Sequence, residues 1–267
     1  MDLLVRGRTE PDAEGHVLVV TPKSAGWRYV GFAAVRLGAG ERRSWTLSDR
    51  EVCVVLLAGR ATLHADDVTV DASDGRPSPF EGPPHVLYVP PRREFSAEAL
   101  GGPVDLAIGS APATGGRAAR GFGPKDARLE IRGSGNMERR IHHLLMEDRD
   151  AERLLVTEVV TPAGHWSSYP PHKHDTDDYP RETQLEETYY YRLRDAARGF
   201  ALQRVYTADR SLDESVAARD GDLVLVPRGY HTVSAPPGYE VYYLNVMAGP
   251  RRAWQVTFDP DHERLRG

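Results

Sequence analysis

His172-Lys-His174, followed 13 residues later by Glu187-Thr-Tyr-Tyr-Tyr-Arg-Leu193, decides how this chain of 267 residues is read. On an extended strand, positions i and i+2 project from the same face, so His172 and His174 can converge on one ion. Glu187 opens a second strand-like run, and adjacent strand residues face opposite ways, so only one of Glu186 and Glu187 can face an interior. The register favours Glu187. Tyr189 and Tyr191 then share its face and line an enclosed polar cavity, while Glu186, Tyr190 and Arg192 face the other way. Further on, Asp220-Gly-Asp-Leu-Val-Leu-Val-Pro-Arg-Gly-Tyr-His231 places a Pro-Arg-Gly-Tyr turn just ahead of a histidine, which that turn can return to the same pocket. Three imidazoles and a carboxylate, His172, His174, His231 and Glu187, suit a borderline divalent ion such as Zn²⁺, Mn²⁺, Fe²⁺, Co²⁺ or Ni²⁺, with water or substrate completing the shell.

A His-x-His pair alone is weak evidence of a site. Together with the downstream Glu and the Gly-Asp-x5-Pro-x-Gly-x-His element, it matches the two metal motifs of the cupin barrel in order and approximate spacing. Two departures stand out: an insertion, residues 175–185, lengthens the gap between His174 and Glu187, and one residue is missing between Gly229 and His231. The expected fold is all-β, two tandem cupin barrels of the double-stranded β-helix or jelly-roll type. Strand-like runs at 31–37, 51–57, 61–64, 85–89 and 104–108 are followed by a second series at 153–160, 187–193, 201–206, 222–226, 239–246 and 254–257, all punctuated by Gly, Pro, Asp and Ser. The halves share an order, with Glu51-Val-Cys-Val-Val-Leu-Leu-Ala-Gly59 resembling the Glu187 run. The small, polar stretch 111–120 suits a linker or exposed loop and puts the boundary near 115. Residues 1–115 are expected to form a barrel without a metal motif, with a packing or oligomeric role, and 116–267 the metal-binding barrel. Short helices are expected at 136–147 and 212–218. The other histidines, 16, 64, 85, 142, 143, 165 and 262, are read as surface or turn residues.

Bulk properties narrow the partners. A net charge of -5 supplies no basic field for nucleic acid, so a small solute is the expected partner. The single cysteine, Cys53, reads as a small buried hydrophobe. The acid in Met1-Asp2-Leu3-Leu4-Val5-Arg6 and the short apolar runs elsewhere fit neither a signal peptide nor a membrane span, so the chain reads as cytoplasmic with no membrane partner. Bicupin edge strands are commonly covered by a neighbouring subunit, which makes a homo-oligomer the expected assembly.

Trp166-Ser-Ser-Tyr-Pro-Pro-His-Lys-His-Asp175, Leu185-Glu-Glu-Thr-Tyr-Tyr-Tyr-Arg192, Gly199-Phe-Ala-Leu-Gln-Arg-Val-Tyr-Thr207, the Asp220 to His231 stretch and Tyr242-Tyr-Leu-Asn-Val-Met-Ala-Gly249 together resemble the 5-deoxy-glucuronate isomerase family of myo-inositol catabolism. Arg132-Gly-Ser-Gly-Asn136 and Asp259-Pro-Asp-His-Glu263 extend the resemblance over most of 130–263, and more loosely over the first half. That family is related to the pectin-pathway isomerase acting on 5-keto-4-deoxyuronate, a bicupin whose metal is held by three His and one Glu. Its short motif maps onto His172, His174 and Glu187. The resemblance implies interconversion of 5-deoxy-D-glucuronate and 2-deoxy-5-keto-D-gluconate. Such an isomerisation needs a Lewis acid at the carbonyl and its adjacent hydroxyl, and a group that moves a proton through an enediol. Tyr189, Tyr191 or a metal-bound hydroxide are the proton-carrier candidates. The substrate carboxylate needs a cation; among Arg192, Lys173, Arg204, Arg132 and Arg139, the expected binders are Lys173, Arg192 and Arg204. The rivals are a cupin dioxygenase using iron, a non-catalytic sugar-binding cupin and a storage-type structural bicupin.

Overall fold

The computed structural model describes residues 2–266. The chain is built from short antiparallel strands, with one α-helix, Pro22–Ala25, and no helix long and apolar enough to cross a membrane among the described residues. It divides into two compact units, one formed by 8–128 with 143–156, the other by 2–7, 129–142 and 157–266.

In the N-terminal unit, one 16-residue strand, Arg50–Ala65, organises everything else. Its first half pairs with Val86–Val89 and Val104–Pro112, its second half with Val68–Arg76 and Glu94–Ala99, so a single strand serves both walls of the unit. The runs 51–57 and 61–64, expected as two strands, are one. The bend between them falls at Gly59, where φ is +99° and a Cβ would lie 2.5 Å from the Pro103 carbonyl oxygen. Only glycine fits there, and the ladder slips register on either side of it. Val52, Val54, Leu56, Leu63, Leu87 and Leu106 point into an apolar core, closed at one side by Trp45 stacked on Phe95 at 5.4 Å. Cys53 is fully buried, and burial pushes its thiol up to about 12.

The units do not divide at residue 115, because each is tied to chain from beyond it. Residues 120–122 pair with Val86–Val89. The buried Glu51 carboxylate accepts N–H bonds from Glu152, Arg153 and Leu154 at 2.7, 2.6 and 2.7 Å, together with the Tyr88 hydroxyl at 2.7 Å. The three charge-assisted bonds from 152–154 draw 143–156 back into the first unit. The loop after Pro112 is exposed as expected, yet the amides of Thr114 and Gly115 are held by Glu152. Conversely, Leu4–Val5 joins the second unit as an edge strand on Leu223–Val226, with Arg6 bonded to Asp222 at 2.6 Å.

The C-terminal unit faces a seven-stranded sheet with a five-stranded one. The larger runs Leu4–Val5, Leu223–Val226, Glu186–Leu193, Val241–Ala248, Leu155–Thr161, Arg139–Leu145, Arg128–Arg132; the smaller runs Asp213–Ala218, Ala201–Tyr206, Tyr230–Ser234, Trp166–Lys173, Thr257–Phe258. Both expected helices are strands instead. Asp213–Ala218 alternates exposed with less exposed positions and pairs residue for residue with Ala201–Tyr206, so the sheet edge overrides a weak helical pattern. Arg139–Leu145 likewise alternates at its start, with Arg139 and Ile141 inward and Arg140 out. Between the two sheets lie Ile141, Val159, Tyr189, Tyr191, Val205 and Tyr243.

Candidate metal centre and adjoining cavity

His172 and His231 are direct cross-strand partners, and their rings lie 4.5 Å apart. His174 sits just past the end of its strand, 6.0 Å from the His172 ring and 5.1 Å from that of His231. One nitrogen of each imidazole falls within 4.8 Å of the others. From the facing sheet, Glu187 brings Oε2 to 3.0 Å from His174 Nε2 and 3.2 Å from His231 Nε2. Glu186, pointing the other way, takes no part in this cluster. The turn before His231 depends on Gly229, at φ +89°, where a Cβ would lie 2.5 Å from the Tyr206 carbonyl. The Gly229 N–H is held by Asp175, at 2.7 Å, so the two histidine-bearing segments are clamped together. The insertion 175–185 closes on Glu182, which accepts from the amides of Asp175 and Thr176, and it delivers the Leu185 carbonyl to His174.

Those carbonyls fix the tautomers. His174 Nδ1 lies 3.1 Å from Leu185 O, and His231 Nδ1 lies 3.2 Å from Gly229 O; a carbonyl can only accept, so each Nδ1 carries a hydrogen. Both Nε2 atoms therefore present lone pairs toward a carboxylate oxygen, and His231 Nε2, fully buried, has no well-directed hydrogen bond. Lone pairs facing a carboxylate repel unless a cation stands between them. In the metal-free chain that cation is a proton. Burial works against a charged His174, but Glu187 overrides it and leaves His174 raised. Burial alone would raise Glu187; His174 and His231 instead hold it down at about 2. Burial, with His231 and His174 beside it, keeps His172 well below its ordinary value and so neutral. An ionised carboxylate and imidazole nitrogens stripped of hydrogen are the donor set a borderline divalent ion takes.

Tyr189 and Tyr191 follow Glu187 inward. The Tyr189 ring lies 5.7 Å from His231, and its hydroxyl is 3.1 Å from Ser168 Oγ. Tyr191 sits farther along the strand, its hydroxyl donating to Gln203 at 2.7 Å. Burial pushes both phenols well above 10, so they remain protonated. The three cations expected at the carboxylate lie elsewhere. Lys173 is bonded to Asp175, Thr176 and Glu182; Arg192 to Asp220 at 3.1 Å; Arg204 to Asp213 at 2.8 Å, on an outward position. Strand parity explains this, since each is an odd step from an inward residue. A cavity of about 370 Å³ is lined by Arg139, Arg132, Arg266, Tyr169, Trp254 and Phe258, the last two of which also neighbour His172. Trp254 and Phe258 stand 6.0 and 6.1 Å from the His172 ring.

Residues 3–265 match the KduI/IolB family. The chain belongs to that family. Among KduI/IolB relatives, the 5-deoxy-glucuronate isomerase of Geobacillus thermodenitrificans (strain NG80-2) is 50% identical over 95% of this chain and 92% of its own length. That of Bacillus subtilis (strain 168) is 40% identical over 91% and 90%. An IolB-like protein from Salmonella typhimurium LT2, solved by crystallography, superposes with a TM-score of 0.95 at 43% identity over the whole of both chains. The oxalate decarboxylase of Lactobacillus farciminis, at 13% identity and TM-score 0.65 over 97% of this chain and 88% of its own, shares the fold alone, a tandem cupin.

Within this KduI/IolB chain the sequence reading passed over Tyr243 and Ser168. Tyr243 is the cross-strand partner of Tyr191, and its ring lies 4.9 Å from Tyr189. Parity along Val241–Ala248 was the available signal: once Val241 is inward, so are Tyr243 and Asn245. Ser168 has φ +49° within a register break between Ser167 and His172, and a sequence pattern gives no warning of such a break.

Proposed function

We propose that this KduI/IolB member isomerises 5-deoxy-D-glucuronate to 2-deoxy-5-keto-D-gluconate in myo-inositol catabolism, with a divalent ion held by His172, His174, His231 and Glu187. The observation carrying this reading is the convergence of the Nε2 atoms of His174 and His231, whose Nδ1 atoms are engaged by carbonyls, on the buried Glu187 carboxylate, in a chain whose curated relatives bear the isomerase name. When bound, the ion supplies a Lewis acid that polarises the aldehyde and the neighbouring hydroxyl and acidifies the C–H between them. The chain's own groups do the rest. Leu185 O and Gly229 O orient His174 and His231. Tyr189, kept protonated by burial, donates to the carbonyl oxygen as the enediol forms and takes a proton back as the new ketone closes, with Ser168 relaying. Tyr191, anchored by Gln203, packs behind it. Bonds broken and formed balance without an oxidant or reductant: the hydroxyl-bearing carbon gives its proton to water at the site, a proton from water is returned to the former aldehyde carbon, and the hydroxyl proton moves between oxygens.

The same reading places the enzyme in the cytoplasm as a homo-oligomer. Edge strand Arg128–Arg132, which leaves Leu129 and Ile131 more than half exposed at 54% and 52%, supports an assembly through that edge. Light scattering at micromolar concentration reads it directly. The activity test is NMR of metal-loaded protein with 5-deoxy-D-glucuronate in D₂O. The aldehyde signal should disappear, a ketone appear, and one deuterium enter the new hydroxymethyl group; absence of turnover with every one of Zn²⁺, Mn²⁺, Fe²⁺, Co²⁺ and Ni²⁺ refutes the proposal.

A further inference from the structure

Arg139 is a cation without a counter-ion. Its residue is only 7% exposed, yet among the described residues no carboxylate lies within ion-pairing distance of its guanidinium, whose one hydrogen bond runs from Nη1 to Met137 O at 2.9 Å. The acid nearest to hand, Glu130, is already held through both oxygens by Arg132, at 2.7 and 2.9 Å. A buried guanidinium has five donors to satisfy and is strongly disfavoured without an anion. Burial lowers its proton affinity, and the neighbouring Tyr243 and Tyr189 feel its charge.

The surroundings keep this group open to the cavity. Gly133, at φ +82°, stands where a Cβ would lie 2.8 Å from Arg139 Nη1 and 2.3 Å from Met137 O, so a larger residue would press on the guanidinium and its one anchor. Arg132 lies over the Trp254 ring at 5.1 Å and is neutralised by Glu130, and Arg266, which also lines the cavity, is exposed and lies over the Phe258 ring at 4.5 Å; of the three guanidinium groups, Arg139 carries the buried and uncompensated charge. The cavity's volume of about 370 Å³ falls in the range that encloses a small ligand. Trp254 and Phe258 in its wall stand within 6.1 Å of the His172 ring, and the charge of Arg139 acts on the His172 imidazole.

We propose that Arg139 is the seat of the substrate carboxylate, fixing the acid end of a short sugar acid so that its carbonyl end meets the histidine cluster. The identity of the acid rests on the isomerase reading; the anion seat rests on the geometry. A bidentate guanidinium–carboxylate pair at a buried arginine makes Arg139 the residue that separates sugar acids from neutral sugars.

The test compares 5-deoxy-D-glucuronate with its methyl ester in the wild type, R139M and R139K, all metal-loaded. The wild type should prefer the acid by about 100-fold in kcat/KM, from the strength of hydrogen bonds to charged groups. R139M should lose that preference almost entirely, chiefly through KM, with unchanged metal per chain and an unfolding midpoint that stays level or rises once the uncompensated charge is gone. R139K should recover part of the preference, about tenfold, because a point charge lacks the fork. An R139M enzyme that still prefers the acid by the wild-type factor overturns the proposal. So does one that loses metal and unfolds at a lower temperature while R139K behaves as wild type with the ester. Calorimetric titration with D-gluconate and with D-glucitol separates this inference from the isomerase reading. If the wild type turns over neither acid nor ester but binds gluconate and R139M does not, the anion seat stands and the isomerase reading falls; equal gluconate binding by both proteins overturns the seat.

Discussion

Metal loading should release a proton from His174, and the release should vanish when Glu187 is neutralised. In the metal-free chain the position between His174 Nε2 and Glu187 Oε2, 3.0 Å apart, is occupied by hydrogen. Against the cost of burial, His174 is held above its ordinary value by Glu187, so in mildly acidic solution it carries the proton that the ion displaces. Below its folded pKa, each pH unit should weaken metal binding about tenfold, or 1.4 kcal/mol. The stability of the metal-free protein carries the same signature. His174, raised, stabilises fully below 6.5 and loses that contribution as pH rises through its folded value. Glu187, lowered from 4.5 to about 2, stabilises above 4.5 and loses its contribution as pH falls toward 2. Both shifts describe one interaction, with an upper magnitude of about 3 kcal/mol from the Glu187 shift. The metal-free protein should therefore be most stable in mildly acidic solution, and the ion should take over the proton's place at higher pH. Calorimetry of metal binding at pH 6 in two buffers of different ionisation enthalpy measures the release. Buffer-independent heats for the wild type, or the same buffer dependence in E187Q, would refute the arrangement of charge described for this site.

Replacing His172 or His231 by Ala should remove the bound metal and lower turnover at least 100-fold, because ligands exceed in effect the outer partners that orient them; elemental analysis beside the NMR assay checks both losses. E51Q should destabilise the chain by about 3–5 kcal/mol in urea unfolding, since an amide NH₂ would face the Glu152 N–H and the Tyr88 hydroxyl in place of an acceptor, while metal per folded chain stays unchanged. G59A should cost about 2 kcal/mol or more, from a φ of +99° and the overlap with Pro103 O, and differential scanning calorimetry would register the lowered midpoint. Cys53, with its thiol at about 12, should resist a disulfide reagent at pH 8 in the native protein and react once per chain in guanidinium.

The parts of the fold legible in the sequence were the apolar strands. Gly31–Leu37 and Ala201–Tyr206 fall where the runs at 31–37 and 201–206 predict them, because buried β-branched and aromatic residues announce themselves. Strands with many polar residues, such as Arg42–Thr46 and Glu94–Ala99, were not among the runs picked out; their conformation is imposed by the ladder they join. Parity carried the site well within a strand, separating Glu187 from Glu186 and drawing Tyr189 and Tyr191 inward. It worked less well for the cations. Lys173, Arg192 and Arg204 were weighed for charge without asking which acid would claim them, and Asp175, Asp220 and Asp213 do so within short reach in the fold. Arg139 differs by lacking such a claimant, a property visible only once the neighbours are assembled.

The way the two units borrow chain from one another bears on how a ribosome can make them. The N-terminal unit has every piece from residue 8 up to the Glu51-bound amides at 152–154, so it can fold as soon as that segment emerges. Leu3 and the strand Leu4–Val5, synthesised first, have their partner in Leu223–Val226. At roughly 5–20 residues per second, that partner emerges several seconds after the first unit is complete. For that interval Leu4–Val5 waits without its strand partner, an open edge of the kind that holdase chaperones shield. Tags or fusions placed ahead of residue 2 would act on this late docking step, and would show themselves as a slow final phase in refolding rather than as a loss of native stability.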